Sequence, residues 1–354
     1  MFWQPKDEKL NFDRALPSSD ANASVTAWLC QHQIAILADL AIAATKSHPP
    51  RLSALINRDI AGSMHDATVL EALCQEAMDR LSSGDKAGAL AWGRVAYVAH
   101  RRASHAWLAF LHIAIEAGEL QQLELTEPKI IASSENDSCI IPRDIIQYWD
   151  ATDPPEDVGI LINSWRDIVG YSHILIDDIE AKEFLKISFD QSVCDAYELA
   201  PHVASRADLL RLAWLARYGG VYSDADERLV GDLNQLIPPD AGLVMNWSGS
   251  DVPCINNWFF AVRPNHPLIR GQLNLAVARL HRASARKSPH NAWLTTGPGV
   301  TSMCVLDAVC AADLGKDSLA DVRLHTEATF RQIVLNGESL QYRNDPARNW
   351  RLAV

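Results

Sequence analysis

Two aspartates one residue apart, Asp224 and Asp226, follow a double glycine in the stretch RYGGVYSDAD, residues 217–226. Like charges at this spacing repel unless something positive lies near them. Paired carboxylates suit a hard divalent cation such as Mn2+ or Mg2+, which prefers oxygen ligands. Such an ion can bridge a diphosphate and offset the charge that builds up as it departs. Upstream, Asp208 and Arg211 are three residues apart and so share a helix face. Arg211 could give a phosphate or the aspartates a planar cationic contact, and Asp208 could accept a ribose hydroxyl. A bare Asp-x-Asp is common by chance, and taken alone it reads as a solvated turn.

The surrounding stretch must place these groups. ASRADLLRLAWLARYGGVYSDADERL, residues 204–229, predicts helix, turn, short strand and loop. Leu209, Leu212, Ala213 and Ala216 can cover a buried helix face. Gly219 and Gly220 end the helix, because glycine accepts the left-handed backbone of a C-terminal cap. Val221 and Tyr222 begin a strand, and continued extension would point Asp224 and Asp226 the same way. Open α/β sheets bind ligands at the carboxyl ends of their strands, which is where this pair falls.

The wider pattern divides the chain into a helical region, 1–125, and an α/β region, 126–354. The polar stretch TEPKIIASSENDSC marks the change. After it, β-like runs such as CIIPRDIIQYW, YSHILIDD, GLVMNWS and NWFFAVRP alternate with helical ones. Before it, Gly84-Asp85 and Gly118-Glu119 recur 34 residues apart, with Ala89, Ala96 and Trp107 on the small and aromatic positions of a tetratricopeptide unit. An ordinary helical bundle fits the same residues.

With 354 residues the chain is long enough for two domains, and a net charge of −12 argues against nucleic acid or an anionic membrane as partner. Seven cysteines without a C-x-x-C pair argue against a zinc site or disulfide framework and for free thiols in a reducing cytosol. The N-terminus shows no signal-peptide run, and IAILADLAIAA is about half the ~20 residues of a membrane span. The expectation is a cytoplasmic protein without a transmembrane segment.

The string R-A-D-L-L-R followed by R-Y-G-G-V-Y-S-D-A-D closely resembles the sugar-nucleotide-binding region of glycosyltransferase family 32. Asp208, Arg211, Gly219, Gly220, Tyr222, Asp224 and Asp226 match its pattern. IPRDIIQYW, 141–149, resembles the family's opening strand, with Ile146 where histidine is usual. SWRDIVGYSHILIDD, NNWFFAVRPNHPLI and TTGPGV resemble further blocks, so the likeness covers roughly residues 140–305. It implies a Rossmann-like GT-A fold and a retaining sugar transfer from a nucleoside-diphosphate sugar, with Mn2+ or Mg2+ as cofactor.

Residue by residue, the resemblance implies that Asp226 holds the metal directly and that Asp224 reaches the ribose and the metal. It places Asp208 on ribose or sugar hydroxyls and Arg211 on the diphosphate or donor sugar. Tyr222 joins the donor-binding set, and either Tyr148 or Trp149 stacks on the nucleobase. Asn257, with Asn256, faces sugar hydroxyls or the acceptor. The expected catalytic set is Asp224, Asp226 and Arg211. A third metal ligand comes from the C-terminal stretch, where the family often has histidine and residues 338–354 have none. Asn349 is the expected substitute, with Asn344 and His325 as others. UDP-sugars are favoured as donors, GDP-mannose is compatible, and the acceptor is a glycan or a protein. Two rivals remain: an interaction protein carrying an inactive transferase domain, and a phosphotransfer enzyme with a nucleophilic aspartate.

Overall fold

The computed structural model describes residues 67–99, 104–123, 141–248, 254–287, 291–312, 319–337 and 340–344. The chain forms two compact units, Met1–Ile113 and Ala114–Val354.

In the first unit, helices α1 (Ala67–Ser82) and α2 (Lys86–Ala99) form a hairpin. Gly84 turns the corner at φ 84°, and Asp85 accepts the Gly88 amide at the start of α2. Leu73, Ala77, Ala89, Trp92, Val95, Ala96 and Ile113 make its core, the last from α3 (Ser104–Ala117). Ala89 and Ala96 are buried as their small size requires. Most of the expected helical region, residues 1–66, lies outside the described residues.

The second unit is a mixed α/β sheet. Its strands are β1 (Gln121–Leu123), β2 (Asp144–Tyr148), β3 (Ser172–Ile176), β4 (Gly220–Ser223), β6 (Leu243–Ser248), β7 (Cys254–Ile255), β8 (Phe259–Val262) and β9 (Val322–Thr326). A separate ribbon pairs β5 (Glu227–Leu229) with β10 (Val334–Asn336). The large sheet runs β1-β9-β6-β8-β4-β2-β3, with β7 paired to β6. Strand β1 lies N-terminal of the boundary expected after residue 125 and pairs with β9. Three residues of sequence QQL carry too little β-propensity to be read as a strand.

β4 is parallel to β2 but antiparallel to β8, and β8 is antiparallel to β6. The carboxyl ends of β2, β3, β4, β6 and β9 therefore share one edge of the sheet, and β8 starts there. Helices α4 (Glu156–Asn163), α5 (Asp178–Ser188), α6 (Gln191–Leu199), α7 (Val203–Tyr218), α8 (Pro267–Arg286), α9 (Ala292–Thr295), α10 (Pro298–Ala312) and α11 (Glu327–Phe330) complete the unit. Its core joins Ile145, Trp165, Val221, Val244, Phe259, Ala261 and Phe330. No helix among the described residues is long and apolar enough to cross a membrane.

α7 delivers the chain to β4 through two glycines whose conformations exclude a side chain. Gly219 has φ 69° and ψ −156°, an extended left-handed backbone essentially reserved for glycine, in place of the helical left-handed cap expected from sequence. A Cβ on Gly219 would lie 2.6 Å from the Val262 carbonyl oxygen, and one on Gly220 would lie 2.6 Å from that of Asp144. The turn is thus pressed between β8 and β2, which fixes where β4 begins.

Candidate active site

α7 is buried on nearly every side, and two of its four charged residues, Asp208 and Arg211, are buried with it. Burying charge is costly unless it is paired and hydrogen-bonded. The pairing here is complete for Asp208: Oδ1 accepts from Arg211 Nη2 and from Asn257 Nδ2 at 2.8 Å, and Oδ2 accepts from Thr296 Oγ1 at 2.7 Å. The expected ribose contact of Asp208 therefore competes with three protein donors. Arg211 donates to the Asn257 carbonyl, lies 3.2 Å from Asp224 Oδ1 and sits 4.7 Å over the Tyr222 ring. At 3% side-chain exposure it is a fixed cation clamped from four directions.

β4 ends at Ser223, and the chain turns at once: the Glu227 amide donates to the Asp224 carbonyl at 3.1 Å. Asp224 and Asp226 therefore lie in a turn and not in a continued strand, and they engage different partners. The turn is imposed because β5 must fold back to pair with β10. The Asp224 amide donates to the Trp258 carbonyl at 2.9 Å, tying the turn to the entry of β8. The Gln147 side chain donates to the Asp224 carbonyl at 3.2 Å and is itself 2.9 Å from His173 Nε2.

Each aspartate has its own cation. Asp224 Oδ1 is held by Arg211 and accepts the Tyr222 hydroxyl at 3.0 Å. Burial, with the nearby Asp226 and Asp208 charges, pushes the Asp224 carboxyl up to about 7 even though Arg211 pulls it down. Asp226 Oδ2 accepts from the Tyr342 hydroxyl at 2.5 Å and from Arg343 Nη2 at 2.7 Å. Beside them, buried Glu227 pairs with Arg331 at 2.5 Å, and burial pushes its carboxyl up to about 8 despite that partner.

The two expected base-stacking residues separate. The Tyr148 hydroxyl joins Asp178 and Tyr197 at 3.2 Å each, a cluster of its own. Trp149 packs with Val158, Ile162 and Ala225, the residue between the two aspartates, and meets Tyr342 edge-on at 5.3 Å between centroids. Tyr222 is fully buried and supports Asp224 and Arg211. Asn257 reaches Asp208, while Asn256 donates to Asn246 Oδ1 at 2.7 Å.

Asn349 lies outside the described residues. Asn344 is exposed, and buried His325 points its Nε2 at the Leu236 carbonyl, 2.9 Å away. No group of three or more His, Cys, Asp or Glu among the described residues is arranged to hold a metal ion. The donor chemistry nonetheless suits a hard divalent cation. Each aspartate engages one oxygen with an arginine, leaving Asp224 Oδ2 and Asp226 Oδ1, and Mg2+-like ions are commonly held by one or two carboxylates plus substrate phosphates and water.

Residues 155–242 match the family described as a glycosyltransferase sugar-binding region containing the DXD motif. The matched segment resembles that DXD-containing region. It spans α4 through the turn before β6 and takes in Asp208, Arg211, Gly219, Gly220, Asp224 and Asp226. An initiation-specific alpha-1,6-mannosyltransferase of Schizosaccharomyces pombe is 24% identical over 239 residues, covering 56% of this chain and 58% of its own length. The chain thus spans a little over half of that relative. Among solved structures, the PaToxG glycosyltransferase is 22% identical with a TM-score of 0.39, covering 55% of this chain and 84% of its own. The glycosyltransferase domain of the YGT toxin is 11% identical with a TM-score of 0.37, covering 52% and 80%.

Several residues around the DXD region escaped the sequence reading. Tyr342 and Arg343 sit 116 and 117 residues after Asp226, and Thr296 sits 88 after Asp208. Nothing local signals such pairs, although TTGPGV resembles a block of the family and the C-terminal stretch is where the resemblance puts a third metal ligand.

Proposed function

We propose that the chain is a glycosyltransferase with a GT-A-type domain, moving a sugar from a nucleoside-diphosphate sugar to a hydroxyl of a glycan or protein. UDP-sugars are the favoured donors. The observation that carries this reading is the DXD turn itself: two aspartates at the carboxyl edge of the sheet, each facing an arginine, inside the segment that matches the family.

Asp226 would hold a Mn2+ or Mg2+ ion, with Asp224 beside it and Asn349 as the proposed third ligand. When bound, the ion would neutralise the diphosphate and stabilise its departure. The remaining roles belong to the chain. Arg211, locked by Asp208 and the Asn257 carbonyl, keeps a positive charge aimed at the turn without having to reorganise. Trp149 lies beside Ala225 and offers an aromatic edge for the nucleobase. Tyr222 holds the Asp224 carboxylate in place.

The proposed transfer retains the anomeric configuration. The bond from the anomeric carbon to the departing phosphate breaks as the acceptor oxygen approaches the same face. The phosphate oxygen takes the acceptor proton, so no protein nucleophile is required. The helical unit, read as tetratricopeptide-like, would serve acceptor binding, and the enzyme would work in the cytoplasm. The test is a panel of nucleotide-sugars with Mn2+, read as nucleoside-diphosphate release. Wild-type protein is expected to hydrolyse one donor slowly and Asp226→Asn to lose that activity; equal rates would remove the reading.

A further inference from the structure

We propose that Arg343 is an exchangeable cation of this site: it neutralises Asp226 when the site is empty and turns to the diphosphate when donor and metal arrive. The inference rests on the glycosyltransferase reading, which gives Asp226 to the metal.

Asp226 Oδ2 accepts two side-chain hydrogen bonds, from Tyr342 at 2.5 Å and from Arg343 at 2.7 Å. A divalent ion on that carboxylate competes with both donors and repels the guanidinium. A diphosphate beside the ion attracts the same guanidinium, whose planar fork matches phosphate oxygens. The two ligands therefore push and pull Arg343 in one direction.

The two arginines of the DXD turn differ in how they are held. Arg211 is buried and clamped by Asp208, Asp224, Tyr222 and a main-chain carbonyl, so it cannot leave. Arg343 is 27% exposed and rides on a single 3-10 turn, Gln341–Asn344. That turn is pinned by reversible contacts: the Gln341 amide to Asp157 at 2.9 Å, Arg343 to Asn336 at 2.6 Å, and the Tyr342 ring against Trp149. One short turn with few backbone bonds can shift where a buried helix cannot. Because Tyr342 touches both Asp226 and Trp149, a shift of this turn alters the metal carboxylate and the aromatic wall together.

The test uses the full chain and two probes. Mn2+ alone is titrated and the free ion counted by electron paramagnetic resonance; UDP and GDP are titrated calorimetrically with Mn2+ present. Arg343→Ala is expected to bind Mn2+ alone about tenfold tighter and the nucleoside diphosphate about tenfold weaker. Tyr342→Phe, which removes a hydrogen bond but no charge, should tighten Mn2+ by less and leave the diphosphate unchanged. If Arg343→Ala proves insoluble, Arg343→Gln carries the same expectation. These opposite signs are what a merely structural arginine would not produce. Weakening of both probes, or no change in either, overturns the exchange while leaving the metal reading intact, provided wild type binds Mn2+ and Asp226→Asn does not. If wild type takes up no Mn2+, or Asp226→Asn takes up as much, the metal reading and the exchange fall together.

Discussion

Thr296 donates its hydroxyl to Asp208 Oδ2 at 2.7 Å across 88 residues of chain. The bond joins the loop before α10 to the middle of α7, and it satisfies the one Asp208 oxygen that Arg211 and Asn257 leave over. Thr296 is thus part of what keeps Arg211 aimed, although it touches neither aspartate of the DXD turn.

Thr296→Val keeps the shape and removes the donor. It leaves a buried carboxylate oxygen unpaired, which costs about 1–3 kcal/mol. Urea unfolding should show that loss, and donor hydrolysis should fall mainly in kcat. Thr296→Ser should restore both, since it keeps the hydroxyl.

Arg211→Lys retains charge but loses the fork. A lysine amine cannot meet Asp208, Asp224 and the Asn257 carbonyl at once, so kcat/KM for donor hydrolysis should drop by about 100-fold. A drop under threefold would show that the charge alone suffices.

Gly220→Ala meets a positive φ of 103° and a carbonyl oxygen 2.6 Å from the new Cβ. β2 and β4 would have to part, so a loss of roughly 3 kcal/mol or more is expected from chemical denaturation. Gly271→Ala is the contrast. Gly271 is an exposed position of α8 where a Cβ meets nothing within 4 Å, and alanine there should add about 0.5–1 kcal/mol.

His173 gives a pH signature. Burial lowers its pKa from 6.5 to about 4. The folded state therefore refuses a proton that the unfolded chain accepts, so His173 contributes nothing above pH 6.5 and destabilises progressively as pH falls from there towards 4. His173→Gln should be relatively more stable than wild type at pH 5 than at pH 7.5, by on the order of 1 kcal/mol after allowing for partial solvation. An equal difference at both pH values would contradict this.

Local signals carried the helix, glycine turn and short strand of residues 203–223, because burial period, helix end and strand start are all written within a few residues. The loop after the short strand is legible, but not its tight turn at Asp224–Asp226, because the chain there folds back toward the distant pairing of β5 with β10. The spacing of Asp208 and Arg211 announced a shared face but not that both would be buried and spent largely on each other. Tyr148 and Trp149 are equivalent in sequence and diverge in space: Tyr148 ends β2 and joins Asp178 and Tyr197, while Trp149, just beyond the strand, packs on Ala225. Tyr342 and Arg343 were illegible for a simpler reason: their partner lies more than a hundred positions away.

Arg211 docks on the main-chain oxygen at position 257, whereas Asp208 is reached by the amide side chain of that same residue. Any amino acid supplies the first contact; only a donor of similar reach supplies the second. Heredity can therefore rewrite residue 257 without dislodging the guanidinium, adjusting one carboxylate's company while the positive anchor stays put. Because β8 begins at this edge instead of ending there, such edits fall on an incoming segment and spare the strand that carries the acidic turn.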